Sequence, residues 1–143
     1  MKEFEYFIGT KEVKKTTPNP FLAKSLVLDM QQRIKDASVL NMNAFPKIVF
    51  ETVYDALRDF CDALLALDGY KSYSHEASIA YLRKEGFDIA FISEFDAKRR
   101  KRNDSKYEGV KIDIEDVAAI KEFYERNKAK INKILQERNL TCS

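Results

Sequence analysis

Glycine and proline are scarce in this sequence of 143 residues, which contains only four glycines and three prolines. The scarcity of these turn-forming residues argues against a turn-rich β architecture and against a disordered chain. Helices are therefore the elements that we predict. A chain of this length is typical of one domain built around a single hydrophobic core.

Residues that bind metal ions are also few, with one histidine and two cysteines. Cys61 and Cys142 are far apart in the sequence and lack the spacing of a zinc site, and His75 alone cannot complete one. We therefore expect no metal, no cofactor and no disulfide framework. Cys61 falls among apolar residues of a predicted helix, where a buried structural thiol is the expected role.

The sequence lacks a long hydrophobic run and has no large excess of either charge. Charged residues run through the first fifteen positions, where a signal peptide needs an apolar segment, and no apolar run is long enough to span a membrane. We expect a cytoplasmic protein without membrane contact. Because the net charge is only +2, any affinity for nucleic acid must come from a local cluster of cations.

Hydrophobic periodicity predicts where the first helices lie. Residues 1–17 form a lead-in segment with one helical turn at 4–8, and the two prolines of "TTPNP" favour extended backbone before the domain of residues 18–143. Asn19 and Pro20 then suit the start of a helix that ends near residue 40. The next stretch, 45–67, is the most apolar, which indicates a central helix or half of a dimer interface.

Three more helices follow the left-handed turn that we expect at Gly69. The first begins after Ser74 and ends near residue 84, the second covers 88–102, and the last begins after Asp113. We expect a loop between the last two helices. Short connections of this kind predict an all-α fold, an antiparallel up-and-down bundle of four to five helices.

The one local cluster of positive charge is "KRRKRNDSKYEG", residues 98–109. A helix turns by about 100° per residue, so Arg102 lies within about 20° of Phe91 and Phe95 and shares their inward face. A guanidinium on that face needs an acceptor or a ligand. Lys98 and Arg99 flank this face. Arg100 and Lys101 point to solvent at the expected helix end.

Two stretches, "ALLALDGYKSYSHEASIAYL" (63–82) and "RNDSKYEG" (102–109), resemble the HEPN superfamily, in particular its small stand-alone prokaryotic members. The resemblance covers roughly residues 18–140. It implies an up-and-down helical bundle that forms a homodimer. It also implies RNA, a nucleotide or a minimal nucleotidyltransferase of a toxin–antitoxin pair as partner.

Many HEPN proteins are metal-independent endoribonucleases whose motif is an arginine, four to six residues and a histidine. Histidine can take the proton of a ribose 2′-OH, and arginine can hold the scissile phosphate. Arg102 and Asn103 resemble the start of this motif, but Tyr107 stands in place of the histidine. A phenol with a pKa near 10 is ionised in only about one molecule in a thousand at pH 7. His75 is the other candidate base.

Three hypotheses follow from the sequence and the resemblance. The first is a homodimer with a degenerate ribonuclease motif that binds nucleotide, RNA or a nucleotidyltransferase through Arg102 and its neighbours: Asn103, Lys98, Arg99 and Lys106. The second is a metal-independent endoribonuclease that uses Arg102 with Tyr107 or His75 as catalytic residues. The third is a structural or interaction bundle in which Arg102 bridges helix ends.

Overall fold

The computed structural model describes residues 1–141 as helices and one small sheet, so the predicted all-α class is confirmed. Cys142 lies outside the described residues. The elements in chain order are α1 (Phe4–Gly9), β1 (Val13–Lys15), α2 (Pro20–Val39), α3 (Pro46–Asp68), β2 (Tyr70–Ser72), α4 (His75–Ala80), a 3₁₀ helix (Tyr81–Glu85), α5 (Ile89–Tyr107) and α6 (Ile114–Glu137). None of the helices within 1–141 combines the length and the apolar character needed to cross a membrane.

Helix ends follow the predicted capping residues. The Asn19 side chain accepts a hydrogen bond from the Leu22 amide at 3.0 Å, and Ser74 and Asp113 accept equivalent bonds at the starts of α4 and α6. Gly69 ends α3 with a φ of 83°, and a Cβ at this position would lie 2.8 Å from the Thr16 carbonyl oxygen. Glycine is thus required there both by the backbone angle and by space.

The two strands were not predicted from the sequence. They are antiparallel, and Lys14 lies directly opposite Lys71 in their register. Three residues per strand are too few to produce a recognisable alternation of polar and apolar side chains. Phe4 and Phe7 of α1 are buried in the common core, so the lead-in segment packs with the rest of the chain.

The predicted end of α5 near Arg102 is wrong, because the helix continues to Tyr107. The residues after Arg102 include no proline or glycine before Gly109, whose φ of 71° marks the turn after the helix. The expected loop is therefore shorter. The cations at positions 98–102 lie within the helix and not at its C-terminus, so the helix dipole does not account for them.

Helix α3 is central, as predicted, and packs along α2 and against α6. The alternative prediction was that this stretch forms half of a dimer interface. One of its apolar faces is instead covered by other parts of the same chain, because five of its residues are at most 2% exposed: Phe50, Tyr54, Leu57, Cys61 and Leu65. Between α5 and α6, large rings fill the core, with the Phe91 and Phe123 centroids 5.0 Å apart. The packing leaves a stripe of charged residues along α3.

Candidate functional site

Helices α3, α4 and α5 bring together six residues that we call the arginine–histidine cluster: Tyr54, Arg58, His75, Arg99, Arg102 and Lys106. The Tyr54 ring is its centre. Its hydroxyl lies 3.2 Å from His75 Nδ1, and the Arg102 guanidinium carbon lies 5.3 Å from the ring centroid. The four cations all act electrostatically on His75. The cluster therefore combines a titratable ring with several positive charges.

Arg102 faces inward, as the helical spacing predicts, with a side chain only 16% exposed. Its nearest carboxylate oxygen is Asp55 Oδ1, which lies 4.0 Å from Nη2 and is too distant for a hydrogen bond. Arg102 Nε is buried and has no hydrogen-bond partner within residues 1–141, and the same is true of Arg58 Nε. Two guanidinium groups thus keep unused donors beside Tyr54.

His75 is neutral at pH 7. Burial and the neighbouring cations, Arg58 and Arg102 foremost, lower its pKa to about 4. Burial also raises the pKa of Tyr54, so the phenol keeps its proton. The imidazole ring is nearly parallel to the Tyr54 ring, at a centroid distance of 6.1 Å.

The Tyr54–His75 hydrogen bond can form in two ways, with different chemistry. If the phenol donates to Nδ1, the proton of the neutral imidazole is on Nε2, which can then donate to an anion. If Nδ1–H donates to the phenol oxygen, Nε2 has a free lone pair and can accept a proton. The first tautomer suits binding, and the second suits general-base catalysis.

Arg99 differs from Arg102 because carboxylates hold it in place. Its Nε lies 2.6 Å from Asp96 Oδ1 and its Nη2 lies 3.4 Å from Glu76 Oε1, which ties α5 to α4. Arg58 Nη2 lies 3.4 Å from Asp62. Arg99 thus fixes the helices that carry His75 and Arg102, whereas Arg102 has no comparable partner.

The structure does not bring Tyr107 to Arg102. Five residues along one helix rotate Tyr107 by about 140° from Arg102, and its side chain is 70% exposed. Lys106 Nζ lies 5.6 Å from the centre of the Tyr107 ring. Asn103 and Lys98 are half-buried on α5. His75, named from the sequence as an alternative base, is the predicted candidate that lies beside Arg102.

Other parts of the site were missed or differ from expectation. Tyr54 and Arg58 were not predicted as site residues, although a tyrosine and an arginine one turn apart on a mostly apolar helix were a usable signal. Lys101 is not a free surface charge, because its Nζ lies 3.4 Å from Asp116. Arg100 is 64% exposed, as predicted.

Two cavities lie outside the cluster. A cavity of about 430 Å³ lies between α2, α3 and the sheet, and its lining includes Asp62, the partner of Arg58. A second cavity, of about 360 Å³, is bounded by the N-terminal residues, the 3₁₀ helix and α5. Within the part of the chain that the structure describes, no three His, Cys, Asp or Glu side chains are grouped so as to hold a metal ion.

Comparisons with known proteins do not assign the chain to a family. No family model matches it, and searches of curated proteins and of solved structures find no match. The HEPN resemblance therefore depends on the two sequence stretches, and the functional argument depends on the geometry of the arginine–histidine cluster.

Proposed function

We propose that the protein binds the phosphate groups of RNA or nucleotides at the arginine–histidine cluster. The observation that carries this proposal is the unsatisfied guanidinium of Arg102. The Arg102 side chain is only 16% exposed and its Nε has no hydrogen-bond acceptor within residues 1–141, and such a placement of a charged group is costly. Phosphate oxygens are suitable acceptors, because the planar guanidinium fork can donate two charge-assisted bonds to them.

The surroundings of Arg102 support an anionic ligand. Lys106 and Arg58 add positive charge, and His75 is uncharged, so it can contribute a hydrogen-bond donor without an additional desolvated charge. The Arg102 guanidinium lies over the face of the Tyr54 ring, which stabilises the positive charge. This arrangement favours the binding hypothesis over a bundle in which Arg102 bridges helix ends, since a bridging arginine would donate to carboxylates or carbonyls.

The HEPN resemblance extends the proposal to a HEPN-like bundle that acts as a homodimer, with a nucleotidyltransferase as an alternative partner. Exposed apolar side chains provide a surface for a second copy. Phe21, Leu28 and Val39 lie on one face of α2, because their separations of seven and eighteen residues are close to whole turns. Sedimentation equilibrium of the full chain tests this part; a monomer at all concentrations would contradict it.

Calorimetric titration with inorganic phosphate, AMP and a short oligoribonucleotide tests the binding proposal. We expect Arg102→Met to weaken binding of each ligand at least about tenfold, the loss of one charge-assisted contact. Arg100→Met is the matched control, since Arg100 carries the same charge, lies two residues before Arg102 and is exposed. Equal affinities of wild type and Arg102→Met would overturn the proposal.

A second candidate function is metal-independent RNA cleavage, which the neutral His75 beside Arg102 favours. His75 Nε2 would take the proton from a ribose 2′-OH while that oxygen attacks the phosphorus held by Arg102. The bond from phosphorus to the 5′ oxygen breaks, and the leaving oxygen takes a proton from water. The hydroxide formed takes the proton from the His75 imidazolium, which restores the neutral base, and a 2′,3′-cyclic phosphate remains.

The cleavage hypothesis predicts activity in EDTA that Tyr107→Phe retains and His75→Gln lowers by about a hundredfold or more, the usual contribution of a general base. End analysis of the RNA fragments distinguishes cyclic phosphates from the products of a contaminating nuclease. Full activity of His75→Gln would exclude this mechanism, and binding without cleavage would leave the first proposal in place.

A further inference from the structure

The two-stranded sheet carries three lysines, and two of them lie on one face. Lys14 and Lys71 lie directly opposite each other across β1 and β2, and both are exposed. Like charges in this position destabilise a strand pair. Within residues 1–141, neither lysine has a carboxylate oxygen within 4 Å, although sixteen contacts of that kind occur elsewhere. The two ammonium groups thus share one exposed face, on which Glu12 lies across the strands from Tyr73.

An exposed aromatic ring lies beside the two lysines. Tyr73 follows β2 on the same face as Lys71 and is 61% exposed. The Nζ atoms of Lys14 and Lys71 lie 5.7 and 5.5 Å from its ring centroid. We call these three residues the lysine–tyrosine patch. An accessible ring flanked by cations suits single-stranded nucleic acid, because a base can stack on the ring while phosphates pair with the lysines.

The patch adjoins the arginine–histidine cluster. Tyr73 precedes His75 by two residues, so their Cα atoms are at most about 7 Å apart. Lys71 and Ser72 also line the cavity of about 430 Å³, whose lining includes Asp62, the partner of Arg58. Thr16 and Thr17 also line this cavity, and threonine hydroxyls are donors and acceptors of the kind that ribose uses.

We propose that the lysine–tyrosine patch binds single-stranded RNA, one of whose phosphates occupies the arginine–histidine cluster. This inference rests on the proposed function and makes it more specific, because it adds a base stacked on Tyr73 and phosphates paired with the two lysines. An acidic peptide could pair with the lysines but has no base to stack on Tyr73. The bound strand therefore has a stacking contact at Tyr73 and a phosphate contact at Arg102.

Fluorescence anisotropy with a labelled short single-stranded oligoribonucleotide tests the inference, with inorganic phosphate titrated in parallel. Tyr73→Leu is expected to weaken RNA binding by about tenfold, whereas Tyr73→Phe, which keeps the ring, stays near wild type. In the double variant Lys14→Ala, Lys71→Ala, the slope of log affinity against log salt becomes shallower by about 1.4, or about 0.7 for each phosphate contact. The affinity for inorganic phosphate, which has no base, stays unchanged in all three.

The matched control for charge is Lys128→Ala, Lys133→Ala, which removes two lysines from α6 and should leave both slope and affinity unaltered. If the patch variants bind RNA as tightly as wild type and Arg102→Met binds it more weakly, the patch does not bind RNA and the proposed function stands. No effect of Arg102→Met would refute the proposed function itself. Equal binding of poly-glutamate and RNA would overturn the stacking role and identify a general polyanion surface.

Discussion

Arg138 and Arg102 are two arginines of similar burial whose surroundings differ. Arg138 follows α6 and is 26% exposed; its Nη1 lies 2.7 Å from Glu85 and its Nη2 bonds to Asp68, which also accepts from the Tyr81 hydroxyl. Arg102 is 16% exposed, and its nearest carboxylate is 4.0 Å away.

This contrast separates a structural arginine from one suited to a ligand. The ion pairs of Arg138 tie the end of α6 to the end of α3 and to the 3₁₀ helix. These pairs account for the charge of Arg138 and for the charges of Asp68 and Glu85. Arg102 contributes no such link. Its position in α5 follows from the helix, but its charge is not accounted for by the chain itself.

The largest expected effect is on stability, and it should occur only at Arg138. We expect Arg138→Met to lower the free energy of unfolding by about 2 kcal/mol, less than the 3–5 kcal/mol typical of a fully buried pair because the guanidinium is partly exposed. Arg102→Met should change it by less than about 0.5 kcal/mol, since loss of the ring contact is offset by removal of a largely buried charge whose nearest carboxylate oxygen is 4.0 Å away. Urea denaturation measures both; equal losses would erase the contrast.

The second effect is on the pKa of His75, which gives the only histidine resonances in an NMR titration. The wild-type midpoint should lie near pH 4, and Arg102→Met should move it toward the ordinary value of 6.5, since one of the cations that disfavour imidazolium is gone. Added phosphate should also raise it. Arg100→Met and Arg138→Met are the controls. An unchanged His75 midpoint in Arg102→Met would place His75 outside the cluster.

A third arginine sharpens the comparison through pH. Arg33 Nε lies 2.8 Å from Asp59, yet burial raises the pKa of Asp59 to about 6. The raised pKa stabilises the fold at low pH, and this contribution is lost as pH rises through about 6. The lowered pKa of His75 has the opposite sign: its contribution is present above about 6.5 and is lost as pH falls through about 4.

These opposing slopes should nearly cancel in the wild type between pH 4 and 6. In Asp59→Asn only the His75 slope remains, so the free energy of unfolding should fall by about 1 kcal/mol more than in wild type as pH drops across that interval. Urea denaturation at several pH values measures it, with exposed Asp36→Asn as control. Parallel curves for wild type and Asp59→Asn would contradict the assignment.

The smallest effect is expected at Tyr107. Because its side chain is 70% exposed and lies on a different face of α5 from Arg102, Tyr107→Phe should change stability by less than about 0.5 kcal/mol and phosphate affinity by less than twofold. The same titrations as for Arg102→Met detect any change. A large loss of affinity would return Tyr107 to the site.

Local chemistry made much of the fold predictable. Asn19, Ser74 and Asp113 act on backbone amides three residues away, so their effect is visible in a short stretch of sequence. The inward position of Arg102 followed from helical spacing alone. The strands depend instead on pairing between residues 13–15 and 70–72, which no local pattern encodes. The contact between Tyr54 and His75 likewise depends on how α4 packs against α3.

The end of α5 shows a different limit. Polar residues in "NDSKY" suit a loop and a helix almost equally, and the absence of glycine or proline before Gly109 favours the helix only weakly. That weak preference decided whether Arg102 and Tyr107 shared a loop or occupied different faces of one helix. The choice of His75 over Tyr107 as the partner of Arg102 therefore required the structure.

The unbroken course of α5 from Ile89 to Tyr107 also determines what binding costs. A loop around Arg102 would have to lose conformational freedom to hold a phosphate, and that loss would be subtracted from the affinity. In a helix already fixed by the ion pairs of Arg99, the guanidinium and the imidazole are ordered before any ligand arrives. Ligands are then selected by how well their shape fits this fixed arrangement of donors.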